Sequence, residues 1–505
     1  MIARLPTLVR TVGTLTLVAV VGTSAACVHN PPKMEGEAST APSPSTFWTP
    51  PEGLLQPAPE APRAAVPDEL AAAQQNWGLV DVVDLALRNN NDTKVSWAEA
   101  RAAAARYGSV RGSYWPSVEV DGDWVRAKST SSPTSPYLPV PINTYGPSAT
   151  VNYLLFDFGG RRASVEASRQ ALIAADFGHN AVIQQVVYEV EAAYFRYMAA
   201  KALLIAEEAN LKDAQTQLDA ADERHAVGVA TIADVLQART ALSRAQLALQ
   251  ATQGAIQSTR GALATAMGLP ADTPYDIVEV PRDLQVEPIK QAVQSLIELA
   301  LNKRPDLAAS RAEAEKAAAH VKEVRARLWP SLTASGSVAR TYYEGYGYNA
   351  DSYAAGIYLR IPVFTGLSMS YDVLEAKSKA ESAQATTKGL EQRVIFQVWD
   401  SYYAHQTATQ KVATTADLLA SATQSQEVAL ARYKEGVGTL LDLMAADSAL
   451  ADARSQRIGA WFEYFTSLAR LARDTGLLGL HAENPLVARP PDETSGNDKP
   501  AEEKP

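Results

Sequence analysis

The chain has 505 residues, 47% of them hydrophobic, with 46 basic against 56 acidic side chains and a formal net charge of −10. That apolar content is ample for a large core, and the negative balance argues against a nucleic-acid protein, which would want a basic face. A single cysteine, Cys27, excludes an internal disulfide.

Residues 1–26 read as an export signal. Arg4 and Arg10 flank the start of an apolar run over 12–21, which is followed by Gly22-Thr23-Ser24-Ala25-Ala26 and then Cys27. The run is too short for a permanent membrane helix. Two readings stand for Cys27. Placed after small residues at the end of a signal, it is similar to the palmitate-bearing cysteine of bacterial lipoproteins, and Val28 rather than Asp after it favours, by that likeness, sorting to the outer membrane. Ser24, where such signals usually carry Leu, leaves open ordinary cleavage after Ala26 and a free thiol. Residues 27–76 read as an N-terminus, lipidated on the first of these readings, with a Pro- and Ala-rich tether, and 484–505 as a disordered tail.

The chain between these ends is written twice, with a first repeat over 77–285 and a second over 286–483. ALRNNND at Ala86 returns as ALNKRPD at Ala300, 214 residues later, and Tyr114-Trp115-Pro116-Ser117 returns as Leu328-Trp329-Pro330-Ser331 at the same offset. Val186, Val187, Val190 and Tyr194 are matched by Val394, Ile395, Val398 and Tyr402 at an offset of 208. The six-residue change belongs to a loop, STSSPTSPYLPVPINTYGP, which is longer in the first copy.

Each repeat reads as helix, two strands, long helix, turn, helix. In PSVEVDGDWVRA, Val118, Val120 and Trp124 alternate with Glu119, Asp121 and Asp123. In AAGIYLRIPVF, Ile357, Leu359, Ile361 and Val363 alternate with Tyr358 and Arg360. One apolar and one polar face suit a sheet between unlike media, which four strands cannot close into a barrel within one chain; soluble hairpins packed on the helices are the other reading. Residues 161–227 hold no proline and one glycine, Gly178, and Val182, Ile183, Val186, Val187, Val190, Ala193, Tyr194, Tyr197 and Met198 fall on one stripe. A second long helix over about 367–435 has only Gly389. Some 65 helical residues reach roughly 100 Å, so something is spanned.

Gly228 and Gly436 stand where a helix closes in the left-handed conformation. Thr231 with Asp234, and Thr439 with Asp442, fit capping boxes that start returning helices over about 232–267 and 440–473. Ala-rich faces on these helices suit coiled coils or helical barrels. His29, His179, His225, His320, His405 and His481 lie far apart, with no zinc, P-loop or nucleophile-elbow pattern, so neither catalysis nor a cofactor is expected. His225 reads as a solvated turn residue, and Trp399, Tyr402 and Tyr403 as core rather than a ligand cage.

With an export signal, a duplicated strand and long-helix unit, LFDFGGRRA at Leu155, VFTGL at Val363, the Ala300–Asp306 stretch and two Arg–Gly–Thr–Asp turns in place, residues 77–480 resemble the TolC-like outer-membrane efflux factor family. The resemblance implies a mostly α protein with membrane β, a homotrimer whose twelve-stranded barrel in the outer membrane continues into a long periplasmic α-helical barrel. It implies a passive conduit, not an enzyme, for efflux of small molecules with an inner-membrane pump. It places a periplasmic adaptor on turn residues Arg224, Gly228, Thr231, Asp234, Arg432, Gly436, Gly438 and Thr439. By position Asp442 matches an aspartate that lines the periplasmic entrance in relatives, with Ala445 where some carry a second; the other reading is that Asp442 only caps its helix. An outer component of type I protein secretion, a structural coiled-coil envelope lipoprotein, and a sensor or lytic envelope enzyme are the competing functions.

Overall fold

A computed structural model describes Ser45 and residues 77–128, 141–278, 289, 291–345 and 347–478. The signal, Cys27, the tether, the tail and the repeat boundary at 285/286 lie outside the described residues. Everything below belongs to one compact unit, 64–505.

The elements come in the predicted order, duplicated. They are α1 (Leu79–Asn89), α2 (Asn91–Arg111), β1 (Ser117–Ala127), β2 (Ile142–Phe156), α3 (Gly160–Ala226) and α4 (Ile232–Ala266). The second copy is α5 (Val293–Lys303), α6 (Pro305–Ala326), β3 (Ser331–Tyr343), β4 (Asn349–Arg360), α7 (Ser368–Lys434) and α8 (Leu440–Asp474). Both long helices have 67 residues. The opening helix of each repeat is in fact two, because the chain extends at Asn90 (ψ 134°) and at Arg304 (ψ 122°), the latter held there by the ring of Pro305.

Two strand readings need correction. β4 ends at Arg360, so Ile361 and Val363 lie beyond it; Pro362 has no N–H to continue the ladder. Ile142 to Pro147, read as loop, belong to β2, and Pro147 fits because β2 is bonded to β1 there but skips β3 between Tyr145 and Ser148. The four strands form one antiparallel sheet in the order β1-β2-β3-β4.

The helices pack as a strip. Along the N-terminal parts of the long helices the order is α2, α3, α6, α7, with Ser96 of α2 meeting His179 at 2.8 Å and Ser310 of α6 meeting Thr387 at 2.9 Å. Along their C-terminal parts it is α4, α3, α8, α7. The apolar stripe on α3 is the core of the first half, where Val186, Val190, Tyr194 and Tyr197 are buried with Leu85, Leu263 and Trp77. In the second half Val394 and Val398 do the same with Leu296, Ile297 and Leu471. The 208-residue offset is therefore a packing repeat. Trp399 and Tyr403 depart from the expectation of core, being 49% and 41% exposed on the outer face of α7, while Tyr402 is half-buried.

The RPD stretch shows why the two halves match. Arg304 donates to the Asp474 carbonyl at 3.3 Å and to Gln397 at 2.7 Å, and is paired with Asp306 at 2.7 Å. At the matching place Asn90 donates to the Ala266 carbonyl at 3.2 Å. Each residue satisfies an orphan carbonyl at the end of a returning helix.

Candidate functional site: an amphipathic sheet and a paired turn

The sheet sorts its side chains by face. Val118, Val120 and Trp124 of β1 stand opposite Val151, Ala149 and Tyr145 of β2, and β3 and β4 continue that face with Val338 beside Tyr353, Ala334 beside Ile357 and Leu332 beside Leu359. Most of these side chains are bare in the single chain: Val120 is 77% exposed and Tyr353 90%. The other face carries Glu119, Asp121, Asp123, Ser148, Thr150, Ser335 and Ser337. Aromatic residues mark both ends of the apolar band. Tyr145 stacks on Tyr342 at 5.3 Å near the hairpin loops, and Phe158 stacks on Trp329 at 5.3 Å where the strands meet the helices. Arg340 and Asp351 sit on the apolar face joined at 2.6 Å and 2.7 Å, so their charges meet each other. Among the described residues no helix is long and apolar enough to cross a membrane.

The predicted turn residues gather at the far ends of the long helices. Gly228 (φ 81°) and Gly436 (φ 77°) adopt the left-handed conformation. The N–H of Gly228 donates to the His225 carbonyl and that of Val229 to Arg224, both at 2.9 Å, and Gly436 and Val437 repeat this onto Tyr433 and Arg432 at 3.1 and 3.0 Å. These paired bonds satisfy the last helix carbonyls. Gly438 is a different case: its N–H donates to the Arg432 carbonyl at 3.0 Å, and a Cβ there would meet Arg432 Cβ at 3.1 Å. His225 is exposed, its Nδ1 3.0 Å from the Ala230 carbonyl.

Both capping boxes are formed. Asp234 accepts from Thr231 N–H and Oγ1 at 2.8 Å, and those bonds hold its carboxyl below the usual range. Asp442 accepts from Thr439 Oγ1 at 2.8 Å and from its N–H at 3.3 Å, with the same effect. Asp442 thus caps α8, fully exposed, and the cap leaves a gate role as a separate matter.

The two turns are joined by a contact that motif reading passed over. Arg224 Nη1 donates to the Tyr433 carbonyl at 2.9 Å and its guanidinium lies 4.8 Å above the Tyr433 ring. Tyr433 is buried with Leu218, Ala221, Val235, Ala238, Leu440 and Leu443 from both hairpins. The only signal in the sequence is that Tyr433 follows Arg432 where His225 follows Arg224. Arg432 itself is exposed. Around this core Val227 (74%), Val229, Val437 (70%) and Leu441 face outward. No group of metal-binding side chains occurs among the described residues.

An amphipathic sheet at the head of two helical hairpins is the chain architecture of a TolC-like outer-membrane channel. Residues 82–269 and 296–477 match the outer membrane efflux protein family, and the chain belongs to it. Protein CyaE of Bordetella pertussis is 27% identical over 454 residues, 89% of this chain and 90% of that protein. The antibiotic efflux pump outer membrane protein ArpC of Pseudomonas putida is 24% identical, over 83% of this chain and 90% of its own. Among solved structures, the outer-membrane channel OprN superposes with a TM-score of 0.72 at 20% identity, covering 83% of this chain and 97% of that one. VceC of Vibrio cholerae gives 0.70 at 21%, covering 79% and 96%. The chain is an efflux channel of the outer membrane, and its family is one of conduits.

Proposed function

We propose that three copies close around one axis into a passive conduit for small molecules, docked at its periplasmic end on an adaptor protein that links it to an inner-membrane pump. The observation that carries this reading is that every layer of the chain ends in a free edge. Among the described residues, β1 and β4 each have a partner on one side only. In a bilayer an open edge is untenable, so four strands per copy favour a closed barrel of twelve. The apolar face then meets lipid. Leu332 to Tyr342 spans about 33 Å along the strand, or about 25 Å once tilted, matching the apolar band of such barrels.

The repeat offset suggests how the helical edges mate. Within the chain, Phe195 of α3 stacks on Phe465 of α8 at 4.9 Å. The residue 208 after Phe195 is Tyr403, and the residue 208 before Phe465 is Gln257; both are exposed. Repeating the internal contact between copies sets α7 of one against α4 of the next and covers Trp399 and Tyr403. The two long helices then form a tunnel of roughly 100 Å, with Arg224, Gly228, Thr231, Asp234, Arg432, Gly436, Gly438 and Thr439 at the adaptor end. Three Asp442 carboxylates near the axis form the gate, and Cys27 supplies a lipid anchor.

The test is bilayer recording from the purified protein together with oxidation of a Tyr403→Cys, Gln257→Cys double variant. Discrete cation-preferring openings and a covalent ladder ending at three chains are expected. A ladder ending at two chains, or a protein that inserts without conducting, would overturn the reading.

A further inference from the structure

Helices α3 and α8 touch at two levels. Toward the sheet, the Phe195 and Phe465 rings stack and the Arg473 guanidinium lies 4.4 Å above Tyr188. Toward the turns, Arg454 reaches Asn210 at 2.6 Å and Asp213 at 3.1 Å. Between these levels lies a cavity of about 500 Å³, within the range of small-molecule sites. Its walls are apolar, with Ala202, Ile205 and Ala209 of α3 at helical spacing, Ile458 and Phe462 of α8, and Leu419 of α7.

Three cations border it. Lys201 is neutralised by Asp276 at 2.9 Å, and Arg454 by Asp213. Arg457 is not. Its guanidinium lies 5.2 Å from the Trp461 ring centre and one Nη1 donates to the Val412 carbonyl, but among the described residues no carboxylate pairs with it. A half-buried guanidinium without an anion is a standing cost that a negatively charged ligand removes. A neutral amphiphile leaves that cost in place, and a cationic one adds repulsion.

We propose that this cavity binds a single-chain amphipathic anion, with its head group on Arg457 and its alkyl chain along the apolar walls. Ala202 to Ala209 gives a wall about 10 Å long, and Met198 at the rim extends it to about 16 Å. The residues that line the cavity all belong to one chain.

Trp461 lines the cavity and reports on it. The full chain in nanodiscs of zwitterionic lipid would be titrated with brominated dodecanoate, and the difference from Trp461→Phe isolates that residue's quenching. Saturable quenching is expected, reversed by dodecanoate and untouched by dodecyltrimethylammonium. Arg457→Gln should raise the half-saturating concentration tenfold or more, and Arg457→Lys by less. Quenching that rises without saturation, or is equal in Arg457→Gln, means partition into lipid and overturns the proposal. No quenching means the cavity is filled by another part of the chain, and also overturns it. If Arg457→Gln does not fold, the choice between anion and cation in the unmodified protein decides.

Discussion

The four left-handed glycines that end the returning and long helices differ in what surrounds them, and that difference sets a ranking of alanine substitutions. At Gly436 and Gly228 a Cβ meets nothing within 4 Å, so Gly436→Ala bears only the left-handed backbone cost, about 1–2 kcal/mol. At Gly268 (φ 76°) a Cβ would lie 2.7 Å from the Asn89 carbonyl carbon, 2.8 Å from its oxygen and 2.9 Å from Asn90 N. These are backbone atoms and cannot rotate away. Gly268→Ala must displace the α1–α2 junction, adding about 1–3 kcal/mol of overpacking and about 1 kcal/mol for the lost Asn90–Ala266 bond. At Gly476 the nearest atoms, in Lys303 and Arg304, are 3.0–3.2 Å away, an intermediate case. Thermal unfolding of each variant, followed by circular dichroism at 222 nm in nonionic detergent, should rank Gly268→Ala as most destabilised, then Gly476→Ala, then Gly436→Ala and Gly228→Ala together. Equal losses at Gly268 and Gly436 would refute the reasoning, because backbone conformation would then be the whole cost.

At the turns themselves, Gly436→Val and Gly228→Val put a branched side chain where φ is positive, and export measured with adaptor and pump present should fall while channel levels hold; unimpaired export by both would remove the turns from the docking site. Burial pushes Asp447 of α8 up to about 6, opposed by a hydrogen bond from Gln426 and by Arg454 and helped by Asp213; one of its oxygens accepts from Gln217, and among the described residues the other is buried without a partner. The folded pKa is raised, so its contribution is fully present below pH 3.8 and lost as pH rises through about 6. Asp447→Asn should therefore stabilise the protein at pH 8 by about 1–2 kcal/mol, after allowing for partial exposure, and not at pH 4; equal gains at both pH values would argue against it. On the proposed assembly, with three Asp442 carboxylates converging on one axis, multivalent ions added from the periplasmic side should block conductance and Asp442→Asn should relieve the block. A block that survives Asp442→Asn, with Asp442→Ala mainly lowering the melting temperature, would leave capping as its whole role. Finally, Cys27→Ser should abolish palmitate labelling while the protein still inserts, and an unlabelled parent would remove the lipid anchor.

The sequence by itself determined what is local or repeated. A left-handed glycine after a helix, Thr231 three residues before Asp234, and a proline-free stretch with apolar residues at helical spacing act within one or two turns of backbone. The bonds made at Gly228 and Gly436 are accordingly those expected. The duplication was legible because equal halves keep equal spacing; of the residues matched at 208, Val186 and Val190 are core positions equivalent to Val394 and Val398, whereas Ile395, matched to Val187, is exposed. Tertiary structure decided whatever depends on residues far apart. Arg224 and Tyr433 are 209 apart, and no periodicity announces that a guanidinium will settle on that ring. Trp399 and Tyr403 have the spacing of core residues, yet α7 is the edge of the strip, so they stay half exposed. Pro147 reads as loop by itself and becomes strand because its neighbour on one side asks nothing of its missing N–H. Which side of a helix is inside depends on what packs against it, and that is set by the whole chain, not by the stretch in which the residue is written.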